Sequence, residues 1–512
     1  MSTDTRKGSL SRKLLSGSVL RLCNLILAAA AAFFLMPLMV HHLGDRLYGF
    51  WTLAIAFVGY YGLFDMGMSG AVSQYLGIAI GRKDLEECRV VFNTALRIQS
   101  ALGCLVLIAA AGTAIASRWF CKSPADADLF WKVIVILGAN AALAFPLRVY
   151  TGLMEAELRF DIQSGLDLLG QILRTGSIVY VMVTDGGLVE LAWMTMLASM
   201  PVLFLQVGLA RREAPWARIG NAFFEIKKTK EFFSYSIYTF VSMIADILRF
   251  QVDALVITAF IGLAVLTHYR IATVFAQYYV NAIIALVGLI QPLFSRLHGA
   301  EDKVKLEKVF AFSTKVSLCV SVFICGVVIL WGKAFIDCWM GAKYEDAFLP
   351  MVILAVAVFL DVSQGPSVSL LYAIFEHRFY TYLNSAEGVL NLVISMLLAR
   401  PMGIVGVALG TLISAMLIRV VVQPVIVCRV SGIDYRKYLR STGNNLLRSG
   451  ALLCVAVASV KWAIRPAYGW LVFSGISASL IYAVGSWFFV LNSGDRWQLE
   501  NAVFKHKIAD ES

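Results

Sequence analysis

Several ionisable residues lie inside long apolar stretches, where each charge costs ~2.5–3.5 kcal/mol at the centre of a bilayer and is therefore a candidate functional residue. Arg270 has no acidic residue within four positions, and His268 and Tyr269 precede it. A guanidinium binds phosphate oxygens through its bidentate fork. We therefore expect an anion-binding site on Arg270, with donors from His268 and Tyr269. The alternative is an arginine that snorkels to the membrane surface beside an interfacial tyrosine.

Four further arginines lie at bilayer depth. Arg21 lies one turn before Asn24 on the same face of the first apolar stretch, and Arg174 and Arg419 lie in later stretches. Arg21 is close enough to the cytoplasmic surface that snorkelling and cavity lining are equally good interpretations. Arg419 also lies close enough to its predicted cytoplasmic end that snorkelling is the favoured interpretation. Arg249, the fourth, has acidic neighbours along its own helix.

Asp246, Arg249 and Asp253 follow i, i+3, i+7 spacing, so they share one helical face that must point at protein or water. They could form an ion triad within the helix, with one acid in excess to bind a proton or Na⁺. Asp65 and Asp361 are the other candidates for ion coupling. Asp361 begins Asp-Val-Ser-Gln-Gly-Pro, where the proline should break the helix and free carbonyls for a ligand or ion. A simple proline kink is the alternative.

The composition sets the class of protein. Apolar residues make up 59% of the 512 positions and charged residues only 15%, with a mean hydropathy of +0.76. A soluble domain carries about 25% charge, so this chain cannot face water on all sides. The net charge of +11 suits a membrane protein with basic cytoplasmic loops and does not require a nucleic-acid partner. The nine cysteines contain no CxxC pair, and we expect no metal site.

The apolar stretches predict an all-α polytopic membrane protein with about fourteen transmembrane helices. A span needs about 20 mostly apolar residues. We place the spans near 17–40, 48–66 (helical to about 80), 98–117, 129–150, 166–183, 188–209, 233–260, 263–289, 314–332, 347–371, 382–399, 403–427, 447–464 and 469–491. With both termini cytoplasmic, 30 of the 44 Lys and Arg lie inside and 8 outside. That asymmetry obeys the positive-inside rule.

An internal duplication organises these spans. Pro146 precedes a cytoplasmic Glu-x-Arg-Phe ending at Phe160, and Pro366 precedes another ending at Phe379, with the two arginines 219 residues apart. The turns at Gly186 and Gly403, each between two spans, lie 217 residues apart. A shared offset predicts two parallel six-helix lobes, related by a pseudo-twofold axis along the membrane normal, with substrate bound between them.

The domain boundaries follow from this repeat. We expect an N-lobe over 1–210 and a C-lobe over 233–428, with a linker at 211–232. Helices 13 and 14, with their preceding loop, occupy 429–491, and 492–512 form a cytoplasmic tail. The linker places lysines between Phe pairs, which suits a helix in the headgroup layer or an ordinary basic loop.

Two strings resemble a known family. Leu-Gly-Asp-Arg-Leu-Tyr-Gly-Phe-Trp at 43–51 and Phe-Asp-Met-Gly-Met-Ser-Gly-Ala at 64–71 resemble the opening of bacterial polysaccharide exporters. These are the O-antigen and lipid-linked oligosaccharide flippases of the multidrug/oligosaccharidyl-lipid/polysaccharide superfamily. Gly-Ile-Val-Gly-Val-Ala-Leu-Gly at 403–410 and Asp-Ala-Leu-Val at 253–256 are also similar to that family. The similarity runs over essentially the whole chain.

The resemblance implies a non-enzymatic flippase in the bacterial inner membrane. It would carry an oligosaccharide linked to undecaprenyl-type diphosphate from the cytoplasmic to the periplasmic or outer leaflet, by alternating access of the two lobes. Arg270 and Arg21 would hold the diphosphate, with Arg249 and Arg174 on the cavity wall. Expected partners are this lipid-linked oligosaccharide, membrane lipids and other polysaccharide assembly proteins. No cofactor is expected, and coupling to H⁺ or Na⁺ is left open.

Three other functions stay open. A multidrug/cation antiporter of the same superfamily would need an acidic pocket, whereas basic residues are at least as prominent here. A glycan polymerase or glycosyltransferase would need a larger extramembrane segment than the predicted loops provide. A scaffold of a polysaccharide assembly complex is the third.

Overall fold

The computed structural model describes residues 4–120, 123–220, 251–287, 290–374 and 376–496 of the chain. Between 221 and 250 it describes 229, 232, 240, 241, 243–245 and 247–249. The described chain is helical throughout and contains no strand. It divides into two compact units at 247/248, which we call unit 1 (Met1–Ile247) and unit 2 (Leu248–Ser512).

Unit 1 contains six long helices in its described part. They are α1 (Asp4–Tyr61), α2 (Met68–Gly81), α3 (Leu85–Phe120), α4 (Pro124–Ala156), α5 (Phe160–Val183) and α6 (Leu188–Glu213). Helix α3 packs along α4, and α1 packs along α5. Ser123 caps α4 by accepting a hydrogen bond from the Asp126 backbone N–H at 3.2 Å, with Pro124 in the first turn, where its missing N–H leaves no helical bond unmade.

Unit 2 contains ten α-helices in its described part. They are α7 (Val252–Phe260), α8 (Leu263–Val287), α9 (Ile290–Gly299), α10 (Lys303–Trp339), α11 (Phe348–Ser363), α12 (Gly365–Ala373), α13 (His377–Ala415), α14 (Gln423–Ser431), α15 (Tyr435–Val460) and α16 (Tyr468–Gly485). A π-helical turn over Met416–Val422 joins α13 to α14. Asp302 and Asp434 cap α10 and α15 through backbone N–H groups three residues on.

Ten helical segments of the described chain are long and apolar enough to cross a membrane. Two of them, Ile26–Gly81 and Arg378–Ser431, each cover two of the predicted spans. The prediction of an all-helical, multi-pass membrane fold is therefore confirmed. The count of fourteen and the boundaries of the lobes and linker stay predictions, since much of 221–250 lies outside the described residues.

Two glycines turn the chain inside these long segments. Gly44 has φ +76° within α1, and Gly403 has φ +60° within α13. Glycine adopts this left-handed region without the clash that a Cβ would cause. Each glycine lies at the junction of two predicted spans, where we expected a connection. The chain therefore reverses between neighbouring membrane segments without a long loop.

Two further glycines let the arms of α13 pack closely after the turn. A Cβ on Gly406 would lie 2.1 Å from the Leu398 carbonyl oxygen, and a Cβ on Gly410 would lie 2.1 Å from Ser395 Oγ. Close approach of helix backbones through small residues is a common way of packing membrane helices. The hairpin formed by α13 therefore depends on the absence of side chains at both positions.

The proline of Gly365-Pro366 separates α11 from α12, as predicted. Pro366 has no N–H to donate to the carbonyl of Val362, one turn earlier. The hydroxyl of Ser317 donates to that carbonyl at 3.0 Å instead. The Val362 carbonyl is thus bonded within unit 2, and the expectation that the break frees carbonyls for a ligand or ion stays a prediction.

The two Glu-x-Arg-Phe turns hold their arginines by ion pairs inside their own units. Arg159 donates to Asp161 at 3.1 and 3.2 Å and also pairs with Glu213. Arg378 donates to Glu376 at 2.8 and 3.3 Å. The hydrogen bond to Asp161 is the main reason that the pKa of Arg159 is raised above its ordinary value. Each arginine fixes the connection that follows a proline-bearing helix.

We expect Gly410→Ala to destabilise the protein, because the added methyl group would overpack the α13 hairpin at a cost of about 1–3 kcal/mol or more. Gly475→Ala is the matched control, since a Cβ on Gly475 in α16 would meet no atom within 4 Å. The thermal midpoint of the detergent-solubilised protein, followed by size-exclusion chromatography after heating, measures both. Equal midpoints for the two variants would contradict the packing argument.

Candidate functional site

Four charged side chains meet inside unit 2, and we call them the charge network. Arg249 precedes α7, Asp361 lies in α11, Glu387 lies in α13, and Arg419 lies in the π-helical turn. Four different segments therefore each supply one member. Two positive and two negative groups balance within this set.

Each carboxylate of the charge network contacts both guanidinium groups. Arg249 Nη2 lies 2.6 Å from Asp361 Oδ2, and Arg249 Nε lies 2.8 Å from Glu387 Oε1. Arg419 Nε lies 3.1 Å from Asp361 Oδ1 and 2.7 Å from Glu387 Oε2. The two arginines are thus held beside one another, although their charges repel. Only the intervening carboxylates make that arrangement possible.

The members of the charge network differ in exposure. The Arg419 side chain is 0% exposed, Glu387 1%, Arg249 6% and Asp361 17%. Removing charges from water is expensive, and a buried pair repays this only with good geometry and further hydrogen bonds. Asp361 is therefore the member of the network that the surrounding protein covers least.

Polar neighbours add hydrogen bonds to the two arginines. Arg419 donates to Gln423 Oε1 at 2.8 Å and to Asn384 Oδ1 at 3.0 Å, and Arg249 donates to the same Asn384 oxygen at 3.3 Å. The Arg419 guanidinium also lies over the Tyr380 ring, 5.5 Å from its centroid. Such a contact adds cation–π attraction.

The backbone around Arg419 explains how a cation so near a helix end is buried. Pro424 cannot donate an α-helical hydrogen bond to the carbonyl of Val420, and the chain takes a π-helical turn over Met416–Val422. Single π turns inside α-helices are frequent at functional sites. Within this turn Arg419 is fully buried and ion-paired. The interpretation that Arg419 snorkels to the cytoplasmic surface is therefore wrong.

Asp253 forms a second buried polar group in unit 2, built from neutral donors. It accepts hydrogen bonds from the Tyr269 hydroxyl at 2.5 Å, the Asn391 amide at 3.4 Å and the Thr411 hydroxyl at 3.5 Å. Asn391 also donates to the Arg249 backbone carbonyl at 3.3 Å. Asp253 and the charge network are thus joined through one amide side chain.

Asp65 in unit 1 is buried at the start of α2. Its carboxylate accepts hydrogen bonds from the Ser69 hydroxyl at 2.7 Å and the Gln99 amide at 2.8 Å, and from the Ser69 backbone N–H at 3.3 Å. Arg148 Nη1 lies 3.5 Å from the same carboxylate. A carboxylate at a helix N-terminus is stabilised by the helix dipole. The Asp-Met-Gly-Met-Ser string thus makes a polar junction between α1 and α2.

The other predicted site residues lie in varied surroundings. Arg270 and Arg174 are exposed, and Asn24 is half-buried. Arg270 Nη1 lies 3.5 Å from Thr273 Oγ1. His268 pairs with Asp346 at 2.6 Å, and Tyr269 is buried against Asp253. Arg270 is therefore the one member of that predicted trio whose side chain is exposed. The side chain of Arg21 and the whole of Asp246 lie outside the described residues.

Sequence reasoning missed three residues of these sites. Glu387 was not considered although it contacts both buried arginines, and Asn384 and Asn391 were also overlooked. A signal existed, because these residues follow i, i+3, i+7 spacing in an apolar span and so share one helical face. Arg148, inside the predicted span 129–150, is a fourth residue that was not considered, and it contacts Asp65 from α4.

The sequence of this chain is similar to that of proteins involved in polysaccharide biosynthesis. The family model described as Polysaccharide biosynthesis protein matches residues 38–349, more than half of the chain. A Shigella flexneri protein assigned by name to O-antigen transport is 23% identical over 395 residues, which cover 74% of this chain and 90% of that protein.

Two solved structures share the fold. The lipid II flippase MurJ in an inward closed conformation superposes with a TM-score of 0.72 at 13% identity, over 91% of this chain and 98% of that one. An inward-facing multidrug resistance MATE family transporter of the MOP superfamily gives 0.67 at 15% identity, over 82% and 99%.

The fold is thus that of the multidrug/oligosaccharidyl-lipid/polysaccharide superfamily of membrane proteins. Within this class, the chain belongs to the polysaccharide biosynthesis protein family. The resemblance predicted from the strings at 43–51 and 64–71 is confirmed, since both lie inside the matched residues.

We expect Arg419→Met to destabilise the protein by about 3–5 kcal/mol, because it leaves two buried carboxylates facing one guanidinium. The double variant Arg419→Met with Glu387→Leu leaves Arg249 paired with Asp361 and should recover most of the loss. Unfolding midpoints of the purified proteins measure the difference. If Arg419→Met matched the wild type, or if the second substitution deepened the loss, the two groups would not be coupled as described.

Proposed function

We propose that the protein is a flippase that moves a polyprenyl-diphosphate-linked oligosaccharide from the cytoplasmic to the periplasmic leaflet of a bacterial inner membrane. The glycan is destined for surface polysaccharide, and the lipid tail stays in the bilayer while the head group crosses. Movement follows alternating access of two helical lobes, with both termini cytoplasmic. The chain performs no covalent chemistry in this process.

The observation that carries this proposal is the family match, which spans residues 38–349 and includes both motifs of the N-terminal half. The name of the Shigella flexneri relative refers to O-antigen transport, and that of the neighbour with a TM-score of 0.72 refers to lipid II. Both names concern glycan export. The shared substrate chemistry we infer is a saccharide on a lipid anchor.

The exposed arginines support the diphosphate part of the proposal. Arg270 is exposed within a helix that is otherwise largely apolar, and its guanidinium makes a long 3.5 Å hydrogen bond to Thr273 Oγ1. Such a group can exchange this bond for a phosphate oxygen at little cost. We propose Arg270 and Arg21 as the diphosphate-binding residues, with Asn24, His268 and Tyr269 beside them. Arg174 and Arg249 are proposed as further wall residues.

We expect Arg270→Ala to lower export of surface glycan by about 10–100-fold, the loss of one charged hydrogen bond worth about 1.5–3 kcal/mol. Arg270→Lys should retain an intermediate level, because lysine keeps the charge but not the bidentate fork. Complementation of a deletion strain, at matched expression, measures both. Arg440→Ala, exposed on α15, is the control and should export normally.

Normal export by both Arg270 variants would contradict this role. Drug resistance conferred by the wild type, with surface glycan unchanged in the deletion strain, would instead favour the multidrug/cation antiporter.

We propose Asp253 as the carboxylate that couples transport to H⁺ or Na⁺. Of the four predicted candidates, Asp361 is paired with two arginines, Asp65 lies beside Arg148, and Asp246 is outside the described residues. The described hydrogen bonds of Asp253 come from hydroxyl and amide groups. A buried carboxylate with neutral donors gains more from a cation than one already paired with arginine.

We expect Asp253→Asn to remove the dependence of flipping on an imposed Na⁺ or proton gradient. The gradient-driven rate should fall at least about tenfold, which corresponds to an interaction free energy of about 1.4 kcal/mol. Proteoliposomes carrying a fluorescent polyprenyl-diphosphate sugar report the rate. Asp185→Asn is the control, since that side chain is 93% exposed at a turn. A gradient response that survives in Asp253→Asn would contradict the assignment.

A further inference from the structure

The charge network holds two guanidinium groups around a carboxylate whose side chain is 17% exposed. Asp361 Oδ2 contacts Arg249 and its Oδ1 contacts Arg419, at 2.6 and 3.1 Å. An acidic side chain between two arginines occupies the place that an oxygen-rich anion would take. We propose that Arg249 and Arg419 form an anion site for a diphosphate group, and that Asp361 is its internal, displaceable occupant.

The exposure of the two carboxylates distinguishes their roles. Glu387 is 1% exposed and contacts the arginines from the buried side, whereas Asp361 is 17% exposed. An incoming anion can therefore replace Asp361 without unfolding the helices that hold the site. Glu387, Asn384 and Gln423 keep the guanidinium groups in place during the exchange, because their contacts do not involve Asp361.

At the offset of about 218 residues that relates the predicted repeats, the four positions correspond in unit 1 to Ala31, Leu143, Leu169 and Pro201, none of them charged. Because buried ion pairs are often less stabilising than well-packed apolar side chains, four charges buried together in unit 2 indicate a role beyond packing.

A diphosphate fits the site better than a single carboxylate does. Two adjacent guanidinium groups offer donors to oxygens on both phosphorus atoms, in the bidentate geometry that arginine favours. The choice of a diphosphate rests on the proposed function, since it is the charged group of the proposed substrate. An inorganic diphosphate and a lipid-linked one share this chemistry, and experiment can separate them.

Removing Asp361 should expose the site to added anion. In the wild type, Asp361 occupies the site in most molecules, so an added anion can bind only to the fraction in which the site is vacant. Asp361→Asn should therefore bind inorganic pyrophosphate at least about tenfold more tightly than the wild type. The thermal midpoint of purified full-length protein in detergent, titrated with pyrophosphate, reports this binding. We expect a rise of several degrees for Asp361→Asn and little for the wild type.

Glu387→Gln is the matched control, because it removes from the same two arginines a carboxylate whose side chain is only 1% exposed. We expect it to show no pyrophosphate-dependent rise. Equal responses from the two variants, or no response from Asp361→Asn, would overturn the proposal. If Asp361→Asn is recovered folded only in pyrophosphate, the anion is replacing the lost carboxylate, as proposed. Failure to fold with or without pyrophosphate would also overturn it.

A parallel titration with farnesyl diphosphate identifies the source of the anion. A response at lower concentration than pyrophosphate requires supports a lipid-linked diphosphate as the ligand, and the reverse supports a free anion at the same site. These measurements involve binding in detergent without transport. The anion site can therefore be disproved while glycan export still depends on Arg270. Equally, the export function can be disproved while the anion site is confirmed.

Discussion

The burial of two guanidinium groups between two carboxylates is the constraint on which the architecture of unit 2 depends. Arg249 and Arg419 are 6% and 0% exposed, and each reaches both Asp361 and Glu387. Without those partners, each buried guanidinium charge would strongly destabilise the fold. The segments that carry the four residues must therefore meet closely enough for all four contacts to form.

Three local departures from regular helix place the four side chains. The left-handed Gly403 folds α13 back on itself, which brings Glu387 on one arm near the residues that follow the other. The break before Pro366 ends α11 just after Asp361, and Ser317 satisfies the carbonyl that the proline leaves. The π-helical turn then carries Arg419 inward. Glycine, proline and π turns are tolerated in membrane helices where neighbouring groups bond to the backbone that they free.

Hydrophobicity and spacing were sufficient to predict the helical, multi-pass class, the turns at Gly44 and Gly403, and the break at Pro366. These features depend on local composition and on the special chemistry of glycine and proline. The partners of Arg249 could not be predicted, because Asp361 and Glu387 lie 112 and 138 positions away in the chain. Arg419 was misplaced for a related reason, since a π turn depends on tertiary contacts that helical periodicity does not record.

Exposed and buried arginines have different roles in the proposed transport. Exposed Arg270 suits the first contact with an anionic head group, whereas the network arginines are available only after a carboxylate leaves. Asp253 lies one amide away from that network through Asn391, which also bonds to the Arg249 carbonyl. Ion binding at Asp253 and anion binding at the network would therefore act on the same group of helices. That connection offers a physical route by which an ion gradient could bias the occupancy of the anion site.

The central claim, that the protein carries a lipid-linked diphosphate glycan across a bilayer, is tested most directly by reconstitution. Purified protein in liposomes, with a fluorescent polyprenyl-diphosphate sugar in both leaflets, is exposed to a membrane-impermeant quencher. If the protein flips this lipid, the quenched fraction will rise from about half to nearly all, at a rate that scales with the amount of protein, as the inner-leaflet lipid reaches the outside. A quenched fraction that stays at about half, in vesicles where the same protein extrudes a cationic drug, would contradict it.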